Sequence, residues 1–135
     1  MIFYYAPGAC SLAPHIALHQ SGAQFESRRV DLHRGEQTTD EYLAINPKGR
    51  VPVLITEQGT LTENSAILFY ISQLFPQAGL APVNDPFALA KVQEFNNYLA
   101  STVHVAHAHG PRGYRWADDQ AALVAMKAKV PMTMT

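Results

Sequence analysis

The chain has a single cysteine, Cys10, at a position where a thiol can be reactive. It follows a short apolar segment, residues 1–5, and the breaker residues 6–9, and a helix is expected to begin at Cys10 or Ser11. A thiol at a helix N-terminus is stabilised as the thiolate, because free amide groups and the helix dipole favour negative charge there. Cys10 is therefore a candidate nucleophile or redox group, with a small buried apolar residue as the alternative.

Two further segments place polar or conformationally special residues at the ends of predicted elements. Val51-Pro52 precedes a strand; its backbone can pair with an extended ligand, or the proline is a plain edge-strand residue. Glu63-Asn64 stands where a strand gives way to a helix. The amides of a helix start bind carboxylates and an acidic side chain accepts an ammonium, whereas the alternative is a plain helix cap at Asn64.

The remaining candidates are histidines and their neighbours. His15 and His19 are spaced i, i+4, which suits a metal, but no third acidic or thiol ligand lies obviously nearby, so no metal site is predicted. A polar and aromatic group comprises His104, His107, His109, Arg112, Tyr114, Arg115 and Trp116. We expect this group to line a pocket for a second substrate or to face solvent.

The elements that position these residues follow from the hydrophobic pattern. Strands are predicted at residues 1–5, 25–32, 51–55 and 60–62, and helices after Cys10, at residues 40–44 and from Asn64 to Pro76. Pro14 fits only within the first turn of the first helix, where no amide hydrogen is required. A helix between the first two strands favours a parallel βαβ unit.

Two domains are predicted, separated by the turn-rich linker 77–84. Residues 1–76 form an α/β domain and residues 85–135 a helical one. In the second domain a long helix is expected from Asp85 to about His109. A last helix is expected from Asp118-Asp119 to about Val130, where Pro131 ends it.

Composition and charge limit the function classes. The chain is 47% hydrophobic and 16% charged, which is typical of a globular protein. A formal net charge of −1 argues against binding to nucleic acid or anionic membranes, and no apolar run approaches the roughly 18 residues of a spanning helix. The N-terminus lacks the basic stretch of a signal peptide and one cysteine cannot form an intrachain disulfide, so the reducing cytoplasm is the expected location.

Four segments, in this order, resemble the glutathione transferases, and most closely their bacterial beta class. They are residues 5–12, 46–54, 61–67 and 97–104, which read YAPGACSL, NPKGRVPVL, LTENSAI and NYLASTVH. The resemblance implies an α/β domain of thioredoxin-like fold followed by an all-α domain. Because the chain is shorter than members of this family, we expect the all-α domain to be incomplete.

The resemblance implies glutathione as co-substrate, with its sulfur beside Cys10 and a mixed disulfide between the two as an accessible state. Tyr5 and Ser11 are then secondary hydrogen-bond donors to a sulfur anion. The Val51–Pro52 peptide is expected to be cis, a state accessible almost only before proline. The Val51 backbone would pair with the cysteinyl unit of glutathione.

The resemblance also assigns the two ends of glutathione and two helical residues. Glu63 and Asn64 match residues that bind the γ-glutamyl end, which carries an ammonium and a carboxylate on one carbon. For the glycine carboxylate Arg34 is the nearest cation, in place of a lysine that the beta class often has there. His104 matches a histidine that contacts the thiol or polarises an electrophile, and Asn97 a residue that reaches the neighbouring subunit's glutathione. For both, a solvated helix position is the alternative.

The predicted function is that of an enzyme, a glutathione transferase that conjugates glutathione to small electrophiles, with thiol–disulfide exchange through Cys10 as a second activity. A homodimer is expected, because residues 64–109 resemble the family's dimer surface. The alternative from another class is a non-catalytic glutathione-binding or interaction module, which a truncated transferase would leave.

Overall fold

A computed structural model describes residues 1–134 of the chain. A four-stranded sheet in the order β2-β1-β3-β4 forms the centre of the first half. Its strands are β1 (Ile2–Tyr5), β2 (Glu26–Arg29), β3 (Val53–Thr56) and β4 (Gly59–Thr62). β1 pairs in parallel with β2 and antiparallel with β3, and β3 pairs antiparallel with β4. Helix α1 (Leu12–Gln20) connects β1 to β2, which confirms the predicted parallel βαβ unit.

The sheet has an apolar cluster on each face, because successive side chains of a strand point to opposite sides. Phe3 and Leu54 pack with α1 and with α3 (Asn64–Leu74) on one face. Tyr4 and Val53 pack on the other face, where α2 (Asp40–Ile45) contributes Tyr42. The strands are therefore sandwiched between two helical layers, the thioredoxin-like arrangement that the resemblance implies.

Several boundaries in this half differ from the sequence prediction, among them the start of β3, which is Val53 and not Val51. α1 begins at Leu12, with Ser11 as its N-cap residue and the buried Pro14 in its first turn. β2 covers only Glu26–Arg29 of the predicted strand 25–32, and all four side chains are exposed. β2 is an edge strand, and it ends where the Asp31 carboxylate accepts hydrogen bonds from the amides of His33 and Arg34 and starts a 3₁₀ turn.

The chain divides into two compact units between Leu89 and Ala90. A 3₁₀ turn, Pro76–Ala78, follows α3, and α4 (Pro86–Tyr98) begins before this division. The domain limits 1–76 and 85–135, with the linker 77–84, stay a prediction.

The second half is helical, and its long helix changes type before it ends. α4 continues through a π-helical segment, Leu99–Val103, into α5 (His104–Ala108). The last helix, α6 (Gln120–Thr133), is capped by the Asp119 carboxylate, which accepts a hydrogen bond from the Ala122 amide.

The expectation that Pro131 ends the last helix is wrong, since α6 includes it. Pro131 lies two residues before the end of α6, so the lost hydrogen bond and the distortion around the ring affect only the last turn. The Thr133 hydroxyl also donates to the carbonyls of Lys129 and Val130 at 3.2 and 3.3 Å, which satisfies carbonyl groups of the last turn. Between residues 1 and 134 no helix is both long enough and apolar enough to span a membrane.

Candidate functional site

Cys10 lies in the loop between β1 and α1, one residue before the helix N-cap. Its side chain is exposed, so the alternative of a buried apolar residue is wrong. The Sγ atom lies 3.5 Å from the carbonyl oxygen of Val51, within the range of a weak thiol hydrogen bond. The structure thus brings Cys10 to the Val51-Pro52 turn, 41 residues further along the chain.

Ser11 and Tyr5 flank this thiol but are engaged by the protein itself. The Ser11 hydroxyl is buried, accepts a hydrogen bond from the Ala6 amide at 3.1 Å and donates to the Ala6 carbonyl at 3.2 Å. It therefore closes the loop that carries Cys10. The half-buried Tyr5 ring lies 4.6 Å from the His15 ring, centroid to centroid.

The Val51–Pro52 peptide is cis, which confirms that prediction. Arg50 precedes this peptide. Its carbonyl oxygen accepts hydrogen bonds from the Tyr42 hydroxyl at 2.8 Å and the Asn46 side-chain amide at 2.7 Å. Burial raises the pKa of Tyr42 to about 12, so the hydroxyl keeps its proton. These contacts fix the backbone that leads into the turn.

Gly49 precedes this held segment and completes its turn. Its φ of 60° is in the left-handed region, and a Cβ there would lie 3.1 Å from the Gln37 carbonyl oxygen. The Gly49 amide donates to the Asn46 carbonyl at 2.9 Å. The left-handed conformation and the nearby carbonyl oxygen both favour glycine at this position.

Glu63 and Asn64 meet at the junction of β4 and α3. The N-cap residue is Glu63 and not Asn64 as predicted, since Asn64 is already the first helical residue. Glu63 has a φ of 72°, uncommon for a residue other than glycine, and its side chain makes no capping hydrogen bond. The Asn64 Oδ1 atom is buried and has no hydrogen-bond partner among the described residues.

Lys48 also belongs to this junction, although the sequence analysis did not select it. Its Nζ atom lies 2.8 Å from Oε1 of Glu63 and 2.9 Å from the Thr62 hydroxyl. Lys48 is part of the turn that begins with Asn46-Pro47, so its place in a loop could be predicted. Nothing in the sequence links it to a carboxylate 15 residues away.

Arg34, Asn97 and His104 lie in other parts of the chain. Arg34 is exposed at the end of the 3₁₀ turn after β2. Asn97 is exposed near the end of α4, and its carbonyl accepts a hydrogen bond from the Ser101 hydroxyl at 2.8 Å. His104 is the exposed first residue of α5. π-helical segments such as the one before His104 are frequent at functional sites.

The other histidines pack against aromatic rings. His15 and His19 have ring centroids 5.0 Å apart, and both contact the Phe25 ring. Burial, with a smaller contribution from His19, lowers the pKa of His15. In the second unit His109 stacks on Trp116 with centroids 4.2 Å apart. No group of three or more metal-ligating side chains is found within residues 1–134.

Comparison with known proteins decides the family. Residues 1–73 match the family model described as the glutathione S-transferase N-terminal domain. The chain belongs to the glutathione S-transferase family.

Bacterial glutathione S-transferases are among its relatives. The chain is 45% identical to glutathione S-transferase GstA of Escherichia coli O157:H7 over 107 residues, which cover 77% of this chain and 53% of the relative. A Sulfitobacter homologue, solved with bound glutathione, is 48% identical with a TM-score of 0.91, covering 98% of this chain and 64% of the other. The beta class enzyme of Sphingomonas chungbukensis is 38% identical with a TM-score of 0.80, and 98% and 65% are covered.

The length of the match limits what family membership establishes. The chain spans about half the length of curated relatives such as GstA. Membership therefore fixes the transferase N-terminal domain over residues 1–73, whereas the roles of Cys10, Val51 and Glu63, the activity and the substrates are matters of proposal.

Proposed function

We propose that this transferase-family protein binds glutathione with the tripeptide's sulfur beside Cys10 and conjugates it to small electrophiles. The observation that carries the proposal is the exposed Cys10 Sγ at 3.5 Å from the Val51 carbonyl. The Cys10 thiol and the Val51 backbone are therefore close enough to contact the same ligand. A cysteine-containing peptide that pairs with Val51 brings its own sulfur close to Cys10.

Each charged group of glutathione is assigned to a protein group that can stabilise its charge. The Glu63 carboxylate receives the ammonium of the γ-glutamyl end, and the amides at the start of α3, beginning with Asn64, receive its carboxylate. α3 has 11 residues, enough for its dipole to favour an anion at this end. Arg34 is the cation proposed for the glycine carboxylate.

The Val51 and Pro52 turn supplies the middle of the binding site. Val51 lies outside the strands, and no hydrogen bond from its amide is found within residues 1–134. That amide is therefore available to the cysteinyl carbonyl of the ligand, as in strand addition. Tyr5 and Ser11 support the loop of Cys10 and remain proposed as secondary hydrogen-bond donors to a sulfur anion.

The proposed conjugation forms one carbon–sulfur bond. The glutathione thiolate gives its electron pair to the electrophilic carbon, and a leaving group such as chloride departs with the pair from its bond. The thiol proton goes to solvent when the thiolate forms. His104 is proposed as a group that contacts the thiol or polarises the electrophile, and Asn97 as a residue that reaches glutathione in a homodimer.

Thiol–disulfide exchange through Cys10 is the second candidate, and the exposure of this thiol favours it. The Cys10 thiolate attacks a mixed disulfide of glutathione, the other thiolate leaves, and Cys10 stays joined to glutathione. A second glutathione thiolate then attacks that bond, which gives oxidised glutathione and restores Cys10. A reducing, cytoplasmic location is proposed because such a cycle consumes reduced glutathione.

The test compares wild type with Cys10→Ala in binding and in both reactions. We expect wild type to bind glutathione in calorimetry and to conjugate it to chlorodinitrobenzene. Cys10→Ala should keep part of the conjugation but lose the exchange reaction, because only exchange needs a covalent bond to this residue. Glutathione binding without turnover would favour a non-catalytic module, and the absence of binding would contradict the proposal.

A further inference from the structure

Lys48 is the cation nearest to the carboxylate that we assign to the ligand's ammonium. Its Nζ atom donates to Oε1 of Glu63 at 2.8 Å and to the Thr62 hydroxyl at 2.9 Å. Both members of the ion pair are exposed, with 51% and 58% of their side chains accessible. An exposed pair of this kind contributes little to stability, so stability alone gives no reason for its geometry.

Only one oxygen of Glu63 is used by the protein. Lys48 and Thr62 anchor the side with Oε1, and within residues 1–134 no hydrogen bond to Oε2 is found. Glu63 also has an uncommon backbone conformation, with a φ of 72° at the start of α3. The carboxylate is thus held from one side, and its second oxygen is open to a ligand.

We propose that Lys48 is a positioning residue for the recognition of the ligand's ammonium. By fixing Oε1 of Glu63 it orients Oε2 toward the ammonium of the γ-glutamyl group. The inference rests on the proposed function, since it concerns the same glutathione site. A carboxylate held in place loses less conformational freedom on binding than a freely rotating side chain, and this is the source of the gain.

Two other roles of Lys48 make different predictions. If Lys48 competed with the ammonium for Glu63, its removal would strengthen binding. If its ammonium bound the ligand's α-carboxylate directly, its removal would matter only for ligands that carry this carboxylate. The positioning role requires that the effect depends on the ligand's ammonium.

The experiment uses Lys48→Met and three tripeptides. Glutathione carries both groups, glutaryl-cysteinyl-glycine lacks the ammonium, and γ-aminobutyryl-cysteinyl-glycine lacks the α-carboxylate. We expect Lys48→Met to weaken binding of the two ligands with an ammonium by about threefold to tenfold in calorimetry, and to leave binding of the glutaryl peptide unchanged. Lys48→Arg should recover part of the loss, because a guanidinium can also hold Oε1.

Arg28→Met is the matched control. Arg28 is likewise exposed and donates to a carboxylate, of Glu26 at 2.7 Å, and to a hydroxyl, of Tyr4 at 3.0 Å. Its removal changes the net charge by the same amount, and glutathione affinity should stay that of wild type. A loss as large as that of Lys48→Met would show a general charge effect and overturn the inference.

The outcomes separate this inference from the proposed function. Wild type that binds none of the three tripeptides contradicts the proposed function and the inference with it. If wild type binds glutathione, then tighter binding by Lys48→Met, an unchanged affinity, or an equal loss with the glutaryl peptide overturns the positioning role alone. Loss confined to ligands with the α-carboxylate also overturns it.

Discussion

At the scale of single residues, the Arg50 carbonyl oxygen decides how the backbone enters the Val51–Pro52 turn. It accepts hydrogen bonds from Tyr42 and Asn46, and both of these residues are buried, at 4% and 2% exposure. A carbonyl oxygen has two lone pairs, and the two donors use both. Loss of one donor therefore weakens the turn without leaving the oxygen entirely unpaired.

Tyr42→Phe should lower the free energy of unfolding by about 1 kcal/mol at neutral pH, because one buried hydrogen bond is lost. The loss should also change with pH. Since the folded state raises the pKa of Tyr42 from 10.0 to about 12, the unfolded chain releases this proton first as the pH rises. Wild type should therefore lose stability between these values, and the variant lacks this component. Urea unfolding of both proteins at several alkaline pH values checks this, and an unchanged difference would contradict it.

Glu63 combines an unfavourable backbone conformation with a proposed role in binding. Glu63→Gly should relieve the φ of 72° and make the protein about 1 kcal/mol more stable than Glu63→Gln, which keeps the conformation. Both variants should bind glutathione more weakly, because both lack the carboxylate. Denaturant unfolding together with calorimetry measures the two effects. A glycine variant less stable than the glutamine variant would show that the backbone is not strained here.

At the scale of elements, α1 packs against the sheet through His15. The His15 ring lies 5.4 Å from the Phe3 ring and 4.6 Å from the Tyr5 ring of β1, centroid to centroid. Its Nε2 atom is 3.2 Å from the Ser27 hydroxyl of β2. Burial of His15 against these rings favours the neutral imidazole, and the nearby titratable group on α1 itself, His19, adds repulsion when both are charged.

Acid should therefore destabilise the packing of α1. Because the folded state lowers the pKa of His15 below 6.5, the unfolded chain binds this proton more readily. The stabilisation is complete above the unfolded pKa and is lost as the pH falls below it. His15→Gln should show a smaller loss of stability than wild type between about pH 7 and pH 5, whereas the exposed control His33→Gln should follow wild type. Urea unfolding at several pH values in this range measures the effect. The same dependence of stability on pH in all three proteins would contradict this prediction.

Much of this fold follows from local pattern and from the resemblance, and the failures have physical causes. The sheet, the βαβ unit and α3 were predictable because apolar periodicity and turn residues determine them. The extent of β2 was not, because an edge strand is ended by the Asp31 side chain and not by a breaker. The prediction at Pro131 was wrong because a proline in the last turn of a helix disturbs only that turn and need not end the helix.

The site was only partly predictable for a different reason. Cys10 and Glu63 carry chemistry that the sequence shows directly. Lys48 and Tyr42 act through partners, Glu63 and the Arg50 carbonyl, that only the folded chain brings near them. A surface lysine and a helical tyrosine have no pattern of spacing that predicts such a contact.

At the scale of the whole molecule, the chain forms two compact units and leaves large apolar side chains exposed on α4. Phe87 and Phe95 have 77% and 61% of their surface accessible. Single exposed apolar residues are common on monomers, whereas a patch formed by several of them is typical of an interaction surface. Both lie in the region, residues 64–109, that resembles the family's dimer surface.

A homodimer is therefore expected in sedimentation velocity experiments on the purified protein. Phe95→Glu should shift the population toward monomer, because a charge cannot be buried in such an interface without a partner. Val124→Glu is the control, since Val124 of α6 is exposed to a similar extent, 60%, but lies outside the predicted surface. A wild-type monomer, or an equal effect of both substitutions, would argue against this dimer.

In the proposed complex, glutathione lies along Val51 with its sulfur next to Cys10. A crystal structure of the protein with glutathione measures this most directly. We expect the tripeptide to hydrogen-bond the Val51 backbone, with its sulfur about 3.5 Å from the Cys10 Sγ atom or joined to it as a mixed disulfide. A tripeptide bound away from residues 10, 51 and 63, or an empty site at saturating glutathione, would contradict this arrangement.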